Sequence, residues 1–342
     1  MSFDFGILQQ LVNDPMITDI DSNGTTIYIS HIEKGKYQYE CELEDGFIEN
    51  LVNRLCNAKE INQQINFEHP VLDGEIDGLR IHATSKTFSV SGTTLRIRKN
   101  PVELVITREM AKRTGYCQDI VFDLLETIVK AKMSVLFGGE VGTGKTQLMK
   151  TMLSYTPSEA GIVFISDIDE MRFLELYPKR NVVQYIVNPI MDYKKSASCV
   201  LRDSADYVCF QEVRDSAVDD LFLVLSSSAR VTATVHLKNA LLMPQRLIQL
   251  SENKNDHHLL STIHDYIQCC IVPEKEIMNG KTIRYIGQIA LFWNDENGVP
   301  QKQLIYERTK NEIKRYALPK YFQKFFKKQG LKLEWSEHIE KI

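Results

Sequence analysis

The stretch Ser134-Val135-Leu136-Phe137-Gly138-Gly139-Glu140-Val141-Gly142-Thr143-Gly144-Lys145-Thr146 decides how this chain is read. Gly139 to Thr146 fits the phosphate-loop pattern G-x-x-x-x-G-K-[ST] at every position. An apolar run precedes the loop, and Gln147, Leu148, Met149, Lys150, Met152 and Leu153 follow it with helical spacing. Strand, loop and helix are the context that separates this motif from a glycine-rich turn that binds nothing. Glycines at 139, 142 and 144 let the backbone curl around an anion and point its N–H groups inward. The following helix adds unsatisfied N–H groups and the positive end of its dipole. Gly139, Glu140, Val141, Gly142, Thr143, Gly144, Lys145, Thr146 and Gln147 therefore form the candidate nucleotide-binding set. Lys145 is expected on the β- and γ-phosphates of ATP, and the Thr146 hydroxyl on Mg²⁺.

Outward from the loop, the bulk numbers set bounds. A chain of 342 residues with 43% hydrophobic and 25% charged residues reads as an ordinary globular protein of about two domains. A net charge of −4 argues against coating nucleic acid by bulk charge. Seven scattered cysteines without a C-x-x-C pair read as reduced thiols rather than a disulfide frame or a zinc site. No apolar run reaches the length of a membrane span, and the first residues lack a signal-peptide pattern. A cytoplasmic protein is expected, with peripheral membrane association at most.

Residues 1–100 carry short alternating runs and two helical patterns, Phe5 to Val12 and Gly46 to Asn57, and read as an α+β domain. Asn23-Gly24 is its hairpin signal. Residues 101–115 read as a linker with one short helix, and 116–342 as the domain of the phosphate loop. There, Gly161 to Ile165, Asp206 to Phe210 and Val231 to Val235 read as buried parallel strands, which implies an α/β sheet with right-handed crossovers. From residue 265 onward the reading is antiparallel: Tyr266 to Val272 and Thr282 to Trp293 around an Asn279-Gly280 turn, then Gln301 to Glu307. Residues 308–332 hold nine Lys/Arg against one acid, Glu312. A helix there would put Leu318, Phe322 and Phe325 on one face. It is either docked with a solvated basic side or a surface for DNA, anionic lipid or a partner.

A phosphate loop needs downstream carboxylates, to hold Mg²⁺ through water and to polarise the attacking water. Glu212, just past the strand Tyr207 to Phe210, would emerge at its C-terminal edge, where ligands bind in open α/β sheets. Glu170 lies in Ser166-Asp167-Ile168-Asp169-Glu170-Met171-Arg172, past the preceding strand. Either could instead be a helix-start acid stabilised by the dipole.

The order of phosphate loop, I-S-D-I-D-E-M-R, D-Y-V-C-F-Q-E-V-R-D and T-A-T-V-H resembles the type II/type IV secretion traffic ATPases, where these are the Walker A, aspartate, Walker B and histidine boxes. D-P-M-I-T-D-I, L-D-G-E-I-D-G-L-R-I-H-A and S-G-T-T-L-R-I-R-K look like the N-terminal domain of the conjugative and Tad-type pilus members. The resemblance implies an N-terminal α+β domain followed by a RecA-like P-loop core with a C-terminal strand and helix extension. It implies Lys145 and Thr146 for phosphate and Mg²⁺, Glu170 as general base, Glu212 as the Walker B acid on Mg²⁺ through water, and His236 as a γ-phosphate sensor. It places Arg80, Arg96 and Arg98 on the nucleotide, with Arg98 favoured, and matches Arg202 and Arg214 to family arginines without clear roles. It implies a homo-hexamer at the inner face of the cell membrane, with inner-membrane secretion or pilus platform proteins as partners.

Three departures stand out: Gln211 where the family has glycine before the Walker B acid, Ser226-Ser227-Ser228-Ala229-Arg230 where it has Thr-Gly-His-x-Gly, and Ser166 where it has an acid. They keep open a weakly hydrolysing nucleotide-binding scaffold. The basic tail keeps open a DNA-binding translocase or coupling factor.

Overall fold

The computed structural model describes residues 3–215, 217–278 and 281–342. The chain forms two compact units, residues up to Pro101 with Glu276–Ile283, and Val102–Lys275 with Arg284–Ile342. The Asn279-Gly280 turn lies outside the described residues.

The first unit is built on six antiparallel strands, β1 (Ile17–Ser22), β2 (Ile27–His31), β3 (Gly35–Tyr39), β4 (Val71–Ile76), β5 (Leu79–Thr84) and β6 (Thr94–Lys99), in the order β3-β2-β1-β6-β5-β4. Alternation sends Ile20, Ile29, Ile81, Ala83, Leu95 and Ile97 to one face. There they pack with Ile48, Leu51, Val52 and Leu55 of α2 (Phe47–Cys56) and with Leu11 of α1 (Gln9–Asn13). The β1–β2 turn forms at Asn23-Gly24: the Asn23 side chain accepts from the N–H groups of Thr25 and Thr26. Gly24 has φ +107°, and a Cβ there would lie 2.4 Å from the Ser91 carbonyl oxygen. Only glycine fits.

The second unit begins at Val102, and residues 102–106 are laid along the phosphate-loop helix. The Lys150 ammonium, shielded from solvent, donates to Val102 O at 2.6 Å, and the Thr151 hydroxyl donates to Ile106 O at 2.7 Å. Burial pulls the Lys150 pKa down to about 8. α3 (Arg108–Thr114) and α4 (Asp119–Lys130) follow.

The sheet of this unit contains β7 (Val135–Phe137), β8 (Ile162–Ser166), β9 (Val182–Ile186), β10 (Tyr207–Phe210), β11 (Arg230–Thr234), β12 (Cys269–Met278), β13 (Lys281–Asn294), β14 (Pro300–Arg308), β15 (Glu312–Arg315) and β16 (His338–Lys341), in the order β16-β15-β14-β13-β12-β7-β11-β10-β8-β9. From β12 to β9 the neighbours are parallel, and from β13 to β16 antiparallel. The parallel strands β7, β8 and β10 are buried at every residue, as expected where helices cover both faces. Val135 and Phe137 face α4 and α5 (Lys145–Ser154). Leu136 faces the side covered by α7 (Tyr193–Val200), α8 (Ala217–Leu225), α9 (Met243–Leu250) and α10 (Leu259–Tyr266), while the short α6 (Phe173–Leu176) follows β8.

Two readings of the C-terminal part are corrected. Tyr266 ends a helix rather than opening a strand, because Leu259, Ile263 and Ile267 bury one helical face and β12 starts only at Cys269. The basic tail is docked, and α11 (Lys320–Lys328) buries Phe322 and Phe326, four residues apart, with Phe325 only half-buried and Leu318 ahead of the helix. Lys320, Lys324, Lys327 and Lys328 are exposed.

Candidate functional site

The phosphate loop leaves the C-terminal end of β7, between β11 and β12, and runs into α5. Gly139 has φ +138°, and a Cβ there would meet Thr143 Oγ1 at 2.8 Å and Pro273 O at 2.9 Å. The loop is closed across its base by the Thr143 hydroxyl, which donates to Glu140 O at 2.9 Å. The Lys145 ammonium lies over the loop and donates to Gly139 O and Glu140 O, both at 2.9 Å. Burial lowers its pKa; the charges of Glu212 and Glu170 oppose that shift and Lys275 adds to it. Thr146 and Gln147 sit half-buried in the first turn of α5, and the Thr146 hydroxyl makes no hydrogen bond among the described residues.

The carboxylates come from neighbouring strand ends. Past β10, the Gln211 N–H donates to Ile165 O at 3.1 Å, and its carbonyl accepts from the Thr234 hydroxyl. The Gln211 side chain is accommodated at 8% exposure, so the extra bulk at the glycine position is packed. Glu212 pairs through Oε2 with Arg214. His236, just past β11, brings Nε2 to 2.9 Å from Glu212 Oε1 without the alignment of a hydrogen bond, and among the described residues the buried Oε1 has no hydrogen-bond donor. Burial acts to raise the Glu212 pKa, but Arg214, His236 and Lys145 outweigh it and hold the carboxyl below its ordinary range.

Glu170 lies past β8 in a tight bend, where its N–H donates to Ile168 O at 3.0 Å. Neighbouring Asp169 accepts from the Arg172 N–H, and Arg172 (φ +45°) holds Glu175. The fold thus brings Lys145, Thr146, Glu170, Glu212 and His236 to one edge of one sheet, although they are up to 91 residues apart in sequence. Arg202 is exposed beyond α7.

The three arginines of the first unit share the solvent-facing side of its sheet. Arg80 pairs across from Arg98, and Arg96 across from His82. Arg98 Nε donates to Asp19 Oδ1 at 2.8 Å, while Arg96 is exposed. Sequence reasoning missed Lys275 and Arg284, which reach the phosphate loop from β12 and β13. They match no motif, and only the pairing of β12 beside β7 brings them there.

The sequence matches the type II/IV secretion system protein family over residues 74–281, more than half of the chain. This chain belongs to that family. A Bacillus anthracis protein is 22% identical over 250 residues, covering 72% of this chain and 56% of that protein. The type IV secretion system protein VirB11 of Bartonella quintana is 27% identical over 184 residues, 49% of this chain and 51% of its own. The chain therefore spans only about half the length of these curated relatives. Among solved structures, the ATPase DotB of Yersinia pseudotuberculosis superposes with a TM-score of 0.64 at 13% identity, covering 83% of this chain and 77% of that one. The family fold, an N-terminal α+β domain followed by a RecA-like core, is thus the fold of this chain. No helix among the described residues is long and apolar enough to cross a membrane.

Proposed function

We propose that this chain is the ATP-hydrolysing subunit of a type IV secretion, conjugation or pilus-assembly apparatus. The observation that carries the reading is the convergence of the phosphate loop and Lys145 with Glu212, Glu170 and His236 at one sheet edge. ATP is the substrate, its β- and γ-phosphates on the loop N–H groups and on Lys145, whose ammonium exchanges two carbonyls for phosphate oxygens.

The residues fit Mg²⁺: Thr146 offers an unengaged hydroxyl and Glu212 a buried oxygen with no donor, a small oxygen set that leaves positions for phosphate and water. Thr146 would hold the ion directly and Glu212 through water, and the ion would neutralise charge on the β- and γ-oxygens. Glu170 orients the attacking water and accepts its proton. His236 reports the γ-phosphate through its contact with Glu212, and Arg98, with Arg80 and Arg96, is assigned to developing phosphate charge because the planar guanidinium holds phosphate oxygens bidentately. A homo-hexameric ring at the cytoplasmic face of the inner membrane, gripping platform proteins of the apparatus, completes the reading; membership of the family supports it. Phosphate release by the purified protein tests it: release that requires both ATP and Mg²⁺ is expected, and no release under any nucleotide and metal condition contradicts it.

A further inference from the structure

Two cations from β12 and β13 close on consecutive carbonyls of the phosphate loop. Lys275 Nζ donates to Val141 O at 2.7 Å, and Arg284 Nε donates to Gly142 O at 2.9 Å. In a trans peptide, a carbonyl and the N–H of the next residue share one plane and point opposite ways. Holding Val141 O therefore aims the Gly142 N–H, and holding Gly142 O aims the Thr143 N–H. A glycine-rich loop has little stiffness of its own, and Gly142 sits at φ +77°, where most residues strain. Neither cation belongs to a motif, and both are fixed on strands of the central sheet rather than on a loop.

We propose that Lys275 and Arg284 are positioning residues that brace two successive peptide planes of the phosphate loop, turning the Gly142 and Thr143 N–H groups toward the polyphosphate of the nucleotide. The brace rests on the assignment of the loop as the nucleotide site. It acts on the bound substrate and the transition state alike, since the β-phosphate is held throughout. Loss of the brace therefore raises KM and leaves kcat nearly unchanged. A hydrogen bond from a charged donor supports an effect of about tenfold per residue.

The test uses the full chain with Lys275→Met, Arg284→Met, and the donor-retaining Lys275→Arg and Arg284→Lys. KM and kcat for ATP, the dissociation constant of a fluorescent ATP analogue, and the melting midpoint of the nucleotide-free protein are measured for each. The methionine variants are expected to raise KM and the dissociation constant about tenfold, with kcat within about twofold and an unchanged melting midpoint, and the conservative variants to recover most of the affinity. Affinity within twofold of wild type in both methionine variants overturns the brace, as does a fall in kcat and melting midpoint at unchanged KM. If a methionine variant does not fold, the leucine variant at that position, which also lacks a donor, carries the same criterion. Wild type and Lys145→Ala, measured in parallel, separate the two readings: nucleotide binding lost on Lys145→Ala keeps the site whatever the brace variants do. A wild type that binds no nucleotide overturns both.

Discussion

Glu212 is the side chain on which most of the local electrostatics meet. One oxygen is held by Arg214, and the other faces His236 without a donor. Glu212→Gln removes the charge but not the shape, so ATP binding is expected to persist while kcat falls roughly 10²–10³-fold, the scale of losing one preorganised electrostatic contact. Equilibrium titration beside steady-state turnover checks this, and full turnover in the variant would remove Glu212 from the site. The Arg214 partner keeps this carboxyl acidic. Burial alone would raise the Glu212 pKa, and Arg214 is the first influence opposing it. In Arg214→Ala the carboxyl therefore protonates at higher pH, and the acid limb of the kcat/KM profile is expected to move upward. A limb that stays in place would show that Glu212 does not govern it. At this scale a sequence offers a reading where a motif constrains several positions at once, as from Gly139 to Thr146. It is silent on Lys275 and Arg284, whose contact with the loop exists only through strand pairing.

At the scale of elements, legibility followed apolar periodicity. β7, β8 and β10 are buried runs bounded by polar residues and could be read directly. β3, β9, β15 and β16 could not, because pairing rather than an apolar face defines them: in β16 all four residues are exposed, and in β3 none is buried. The helical tail was legible as amphipathic, with Leu318 and Phe322 on its buried face, but Phe326 rather than Phe325 is the second buried aromatic of the helix. Phe322 is fully buried among Trp293, Tyr321, Phe325 and Phe326. Phe322→Ala is expected to cost about 3–5 kcal/mol of unfolding free energy. Denaturant unfolding measures it, and a loss below about 1 kcal/mol would mean that α11 is not docked as described.

For the whole molecule, the chain separates into two compact units at Pro101, where the sequence carries a proline and a change of pattern. The grouping of segment 276–283 with the first unit has no signal in the sequence, because its residues continue two strands of the second. The ring proposed above has its own check. Solution mass is expected to rise to about six chains with a non-hydrolysable ATP analogue, in line with the closed symmetry of homo-oligomers. A chain that stays monomeric at all concentrations, with and without nucleotide, contradicts the ring.

The central claim is that the loop from Gly139 to Thr146 binds and turns over ATP through Lys145. Its most direct test is Mg²⁺-dependent phosphate release by wild type and by Lys145→Ala, prepared in parallel and matched for melting midpoint. The account predicts release by wild type and none above background by the variant. Equal release by the two proteins would contradict it.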